Sequence, residues 1–435
     1  MAMTMDIEIV ARETIKPSSP TPQHLRNFNF SLIDQTAPVM FTPLLLFYPE
    51  NNNTNNHLIP ATQRSQKLKT SLSKLLTVFY PLAGIIKEQT TIECNDDGAE
   101  YVEAQIKCNL SDILQQPDAS MLRSFLPVEI ESEEADSSRL LFVQANFFKC
   151  GGMVIGVCIS HKIADTQTLS TVLNSWSQIA ISGSSDGVKF PEFNAASIFP
   201  PLDSKPHITI PRHDSLISKR YVIESSKIVS LKAKAAGATV QQPTRVEAIT
   251  ALIWKCMINV SRSAKGFPRL SVISHVVNLR KRIEPPLPEN CIGNIVGAFF
   301  AAHSTEKETD LQGLVCELRK ELTEFKKTGL QKIKVEKRTW LKMCGIENLL
   351  GREDIDYHTC TSWCRFPLYE VDFGWGKPIW ITVPSLIFKN AVFMMDARDG
   401  EGVEVMVSLS EEDMALFEGD QDLLEFASVN PSVMN

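Results

Sequence analysis

No apolar stretch of this chain reaches the roughly 18 residues that a helix needs to span a bilayer. The first residues, MAMTMDIEIVARETIKPSSPTP, lack the apolar core of a signal peptide, and Asp6, Glu8 and Glu13 do not suit a transit peptide. Both absences point to a cytoplasmic protein. Cations are in the minority: 44 Lys and Arg stand against 51 Asp and Glu, a formal charge of -7. That balance argues against nucleic acid or an anionic membrane as main partner, and it leaves room for a local basic patch. The 10 cysteines form no CxxC pair, and Cys360 and Cys364 have no neighbouring His-x-His, so no metal site is expected. Cys158 and Cys256 lie inside apolar runs, as small core residues do. Such usage fits a reducing compartment. There is no P-loop and no GxGxxG, so neither ATP nor NAD is implied.

What is present is an ordinary globular composition, 43% hydrophobic and 22% charged over 435 residues. That length holds two domains, or one large core with insertions. The chain is organised around MVIGVCISHKIADTQTLSTVLNSWSQIAI, from Met153 to Ile181. Met153 to Ser160 is apolar and follows Gly151-Gly152, the pattern of a strand buried on both faces. After Asp165, apolar residues recur at Leu169, Val172, Leu173, Trp176, Ile179 and Ala180, the spacing of a helix with one buried stripe. Thr166 suits an N-cap or the first turn. His161 and Asp165 therefore fall in a strand-to-helix turn, where a rigid scaffold presents catalytic groups. The same pattern is also that of a packed histidine with an aspartate at a helix N-terminus.

Elsewhere strands and helices alternate without internal repeat. Met40 to Tyr48 and Leu140 to Phe148 read as buried strands, and Gln66 to Tyr80 and Thr244 to Val260 as helices. Ile292 to Ala302 and Val383 to Met395 each read as one strand. The Pro-rich stretch 191–211 is the expected boundary between domains 1–205 and 212–435. The mixture suggests two α/β layered domains. Gly183-Ser184-Ser185-Asp186-Gly187 matches GxSxG literally. A nucleophile elbow needs a strand before the serine and a helix after it; here a helix precedes and a Pro-rich loop follows, which weighs against a serine hydrolase.

A second anchor is Asp372-Phe373-Gly374-Trp375-Gly376, where two glycines flanking an aromatic mark a tight backbone path. The sequence HKIAD at 161–165 followed by DFGWG resembles the plant BAHD acyl-CoA-dependent acyltransferases. Phe79–Gly84 (FYPLAG), Val277-Asn278-Leu279-Arg280, Gly293-Asn294 and Thr361–Arg365 (TSWCR) match further blocks in order, so the resemblance spans nearly the whole chain. Pro17–Pro22, Pro286–Pro288 and Asp396-Ala397-Arg398 place it nearest the vinorine synthase-like alcohol acetyltransferases. Two positions depart from the family pattern: Thr166 stands where Gly is common after HxxxD, and Ile85 where Arg is frequent.

The resemblance implies two similarly folded mixed-sheet domains, like chloramphenicol acetyltransferase, with a solvent channel between them. It implies that the DFGWG region, about 371–395, crosses back to complete the first sheet. It implies acetyl transfer from acetyl-CoA to a hydroxyl of an alkaloid or terpenoid, with acyl-CoA and a small-molecule alcohol as the only partners of a monomer and no tightly bound cofactor. His161 would be the general base. Asp165 would orient the His loop by pairing with Arg280, with Asp372 in the same ion pair and Gly374 and Gly376 structural. Trp375 and Thr42 would be oxyanion donors, and Asn294, Ser362 and Trp363 would line the acyl-CoA channel. Lys255 and Arg269 could hold CoA phosphates. The alternatives are transfer of a larger acyl group, benzoyl or hydroxycinnamoyl, to an alcohol or amine, and a non-catalytic ligand-binding homologue.

Overall fold

The computed structural model describes residues 5–50, 59–131, 139–202, 215–305, 308–329, 352 and 354–434. The expected domain boundary, at 205–212, lies outside the described residues.

Among the described residues the chain forms two mixed sheets and a small antiparallel one of three strands, Asn27–Asn29, Thr91–Glu93 and Ile85–Lys87. The first has six strands in the order Ile7–Ile15, Ala99–Ile106, Leu141–Phe148, Met153–Ser160, Phe41–Tyr48, Trp380–Thr382. Side chains alternate across a strand, and here both faces are covered. Leu44, Leu46, Ile155, Val157 and Ile159 meet Leu68, Leu72 and Leu75 of the helix Ala61–Val78, together with Leu169, Val172 and Trp176 of the helix Thr166–Ser182. Phe41, Leu45, Phe47, Val154 and Cys158 face Leu110, Ile113 and Phe125 on the other side. Two covered faces explain why these strands read as unbroken apolar runs.

The second sheet has seven strands, ordered Val296–His303, Leu270–Asn278, Ile355–Ser362, Ala391–Asp396, Val403–Ser410, Leu216–Ile223, Ser428–Val429. The helix Arg245–Lys265 opens on a capping box between Thr244 and Glu247 and buries Ile249, Ile253 and Met257 in a cluster with Ile273, Val277, Phe299 and Val392. The sheets are tied together at Glu404, which pairs with Arg220 of its own sheet at 2.6 Å and accepts from the Trp380 indole N–H of the first sheet at 3.1 Å.

Two expected strands differ from those observed. The run 383–395 is not one strand. Trp380–Thr382 pairs with Leu45–Phe47 in the first sheet, and Ala391–Asp396 lies in the second. Pro384 offers no ladder N–H, and Asn390 turns the chain at φ 55°. The crossing segment therefore ends short of residue 391, earlier than the 371–395 expected. The run 292–302 becomes a strand only at Val296. Gly293 has a φ of 124°, and the next two backbone N–H groups are bound to carboxylates of the other domain, not to a ladder.

Candidate active site

The strand Met153–Ser160 leads directly into His161. Its last residue pairs with Phe41, and the His161 N–H donates to Met40 O at 2.9 Å. Thr166 opens the first turn of the helix Thr166–Ser182, and Asp165 is its N-cap, the carboxylate accepting from Thr168 N at 2.8 Å. His161 lies in the turn between them, half-buried. Lys162, buried beside it, donates Nζ to Gln35 O at 2.9 Å and Ala37 O at 3.1 Å.

Asp165 is turned away from the imidazole and holds the second domain. It accepts from Arg280 at 2.6 Å and 3.1 Å and from the Ile295 N–H at 3.0 Å. Arg280 has no exposed surface, and its remaining N–H groups reach Cys291 O, Gly293 O and Thr168 Oγ1. A charge pair so completely buried is held by geometry and by the satisfaction of every donor.

Sequence reasoning missed the residue on the other side. Asp34 is fully buried in the short helix Leu32–Thr36, where it forms a capping box with Ser31. It accepts from the Asn294 N–H at 2.7 Å and Asn294 Nδ2 at 3.0 Å, and from Ser31 N and Oγ at 2.9 Å and 2.7 Å. Two carboxylates of the first domain thus grip successive N–H groups of the second, at 294 and 295. The serine three residues before Asp34 was a readable capping signal; the partner 260 residues away was not.

Asn294 touches the imidazole itself. Its Oδ1 lies 3.1 Å from His161 Nδ1, and its Nδ2 donates to His161 O at 2.7 Å. Loss of hydration lowers the His161 pKa below its ordinary value, against the pull of Asp165 and Asn294. The ring is therefore neutral at neutral pH, with one nitrogen engaged.

Thr42 stands at the same end of its strand, paired with Ile159, and its buried hydroxyl has no hydrogen-bond partner among the described residues. Such an orphan is uncommon in a native interior.

The DFGWG segment corrects two expectations. Asp372 does not reach Arg280; it accepts from the Gly374 and Gly376 N–H groups at 2.7 Å and 3.0 Å, folding the motif on itself. Gly376 has a φ of 103°, and a methyl group on its Cα would meet nothing within 4 Å, so glycine is required there by the backbone and not by space. Trp375 is not near the histidine. Its ring stands 6.2 Å from that of Tyr48, whose strand partner is Met153, at the opposite end of the strand leading to His161. The seven steps from Met153 to Ser160, at about 3.3 Å each, set that end of the strand roughly 23 Å from the start of the His161 turn. Phe373 meets Trp176 edge to face at 4.8 Å, and Tyr48 donates its hydroxyl to Val371 O at 2.9 Å. The motif anchors the crossing segment to the first domain's core.

Ser362 ends its strand, and the Trp363 ring meets Phe393 at 4.6 Å within the apolar cluster that includes Ile163 and Ala164 of the His turn. Lys255 and Arg269 are committed to Asp422 and Asp356, at 2.6 Å and 3.2 Å, which removes them as ready phosphate ligands. Ser185 follows a helix that Gly183 terminates at φ 70°, so no nucleophile elbow forms. Among the described residues no helix is long and apolar enough to cross a membrane.

Comparison with known proteins gives consistent matches. The family model described as the Transferase family covers residues 5–424. Limonoid 1-O-acetyltransferase of Citrus sinensis is 36% identical over 447 residues, spanning 99% of this chain and all of the relative. Vinorine synthase of Rauvolfia serpentina is 38% identical over 420 residues, covering 95% of this chain and 96% of the relative. The crystal structure of vinorine synthase superposes with a TM-score of 0.87 at 36% identity, covering 99% of this chain and 100% of that one. TRI101 of F. sporotrichioides, solved with coenzyme A and T-2, matches at a TM-score of 0.69 over 93% of this chain and 99% of that one; its 18% identity shows the shared fold alone.

Proposed function

The chain belongs to the Transferase (BAHD) family of acyltransferases, and we propose that it transfers acetyl from acetyl-CoA to a hydroxyl of a plant specialised metabolite, an alkaloid or terpenoid. The relatives named for O-acetyl transfer support the acetyl group and the acceptor class. The observation that carries the chemistry is a half-buried imidazole whose Nδ1 is already engaged by Asn294.

An alcohol is a weak nucleophile at neutral pH. His161 Nε2 takes its proton as the oxygen attacks the thioester carbonyl, a contribution of about 10² to 10⁴ in rate. The tetrahedral oxyanion collapses and the C–S bond breaks. The proton on Nε2 passes to the departing thiolate, so free CoA leaves and the ester remains. No acyl-enzyme forms, because both substrates are bound together. Asp165 and Arg280 hold the turn and touch neither substrate.

The orphan hydroxyl of Thr42 fits the oxyanion. Removing a comparable donor elsewhere costs roughly 3–4 kcal/mol of transition-state stabilisation. Thr42→Val should lower kcat by about 100-fold while leaving the denaturation midpoint at or slightly above wild type, because no bond in the free protein is lost. A midpoint that falls with kcat would assign Thr42 to packing.

The function itself is tested by CoA release from acetyl-, benzoyl- and coumaroyl-CoA with a panel of alkaloid and terpenoid alcohols. Acetyl ester formation supports the reading. Turnover confined to the aromatic thioesters, or no turnover with any acceptor, opposes it.

A further inference from the structure

We infer that Asp34 is a positioning residue for the reaction: acting through Asn294, it fixes which nitrogen of His161 carries the proton. The inference rests on His161 being the base. All four hydrogen-bond partners of the Asp34 carboxylate are donors, the N–H and Nδ2 of Asn294 and the N–H and Oγ of Ser31. The Ser31 N–H and both Asn294 groups can only donate, so the Asp34 oxygens stand as acceptors toward them.

Asp34 then decides how the Asn294 amide stands. Its Nδ2 faces two acceptors, Asp34 Oδ1 at 3.0 Å and His161 O at 2.7 Å. Turning the amide over would set its oxygen against both, an acceptor beside an acceptor twice in a buried site. Oδ1 is therefore held toward His161 Nδ1, at 3.1 Å. An amide oxygen only accepts, so Nδ1 must be the protonated nitrogen. Nε2 is left with a free lone pair, as a general base requires. The histidine's tautomer is thus set by a residue of the first domain, working through an amide of the second. The base is correctly primed only where the two domains are docked.

The two substitutions of Asp34 separate this role from packing. In Asp34→Ala, Asn294 keeps only the His161 carbonyl to orient it, and the preference weakens. In Asp34→Asn, the single oxygen best serves Asn294, satisfying its N–H and its Nδ2. The new amide then faces Ser31, whose hydroxyl can rotate to accept, and only the Ser31 N–H is stranded. This orientation loses one bond, whereas the reverse strands the Asn294 N–H and disturbs its side chain.

The experiment is ring-nitrogen NMR of protein labelled with ¹⁵N histidine, the His161 signals being assigned by their loss in His161→Gln. It is combined with kcat, KM and denaturation midpoints. Wild type should show Nδ1–H. Asp34→Ala should lose that preference and fall about tenfold or more in kcat at unchanged KM for acyl-CoA. Asp34→Asn should keep Nδ1–H and most of kcat despite a lowered midpoint. A wild-type ring protonated on Nε2 would overturn the inference, as would an Asp34→Ala protein that retains Nδ1–H, or kcat falling in step with stability in both variants. Should Asp34→Ala not fold, Asn294→Ala must abolish the preference, and retention there overturns the inference equally. The tautomer is read without turnover, so failure of the acyltransferase reading, shown by an active His161→Ala, stands apart.

Discussion

Replacing His161 by alanine should abolish acyl transfer to within background, a loss of about 10² to 10⁴, while the protein should still fold and bind acyl-CoA. The imidazole is half-buried, and among the described residues its side chain makes one hydrogen bond, to Asn294. Losing that bond costs about 1 kcal/mol, well within the roughly 5–15 kcal/mol of a typical domain. The rate loss is far larger because nothing else described at the site can take the alcohol's proton. Lys162 is spent on two backbone carbonyls, and Asp165 on Arg280 and two backbone N–H groups. The comparison to make is single-turnover rate and circular dichroism of the two proteins side by side. Appreciable catalysis by a folded His161→Ala protein would rule out the imidazole as the base.

The second large effect is on stability. Asp165→Ala leaves Arg280 charged, without exposed surface and without a counter-charge. Breaking a buried pair in this way costs about 3–5 kcal/mol, and the lost helix cap adds about 1 kcal/mol. Soluble yield and denaturation midpoint should both drop sharply, and kcat with them, because the turn that carries His161 loses its anchor to the second domain. The double variant Asp165→Ala/Arg280→Met should be more stable than Asp165→Ala alone, since the stranded cation is gone. A wild-type midpoint for Asp165→Ala would show that the pair contributes nothing.

The local parts of this site were legible. An apolar run ending at Ser160 and a helical stripe beginning at Leu169 left room for one short turn, and that turn holds His161 and Asp165. The two sheets followed from the alternation of strands and helices together with the resemblance. What could not be read was every contact across the chain. Hydrophobic pattern does not say to which sheet a strand belongs, so 383–395 looked continuous although strands of two different sheets flank its first eight residues. Gly293-Asn294-Ile295 looked like strand because it continues an apolar run, whereas the Asn294 and Ile295 N–H groups serve Asp34 and Asp165. Trp375 sits in a motif with a special backbone path, which suggested a ligand; its neighbours Tyr48 and Phe373 make it part of the core. Asp34 gave only a capping signal, with no hint of Asn294.

In the proposed reaction a neutral imidazole at position 161 receives the alcohol's proton. Burial holds its pKa below the ordinary value of about 6.5, so the basic form persists to lower pH and is lost only as the pH falls through that depressed value. The pH dependence of kcat/KM, which reports the free enzyme, tests this most directly. A base of this kind gives a single acid limb with its midpoint below about 6.5 and a flat profile through neutrality. A limb centred at alkaline pH, where a thiol or an amine ionises, would contradict it.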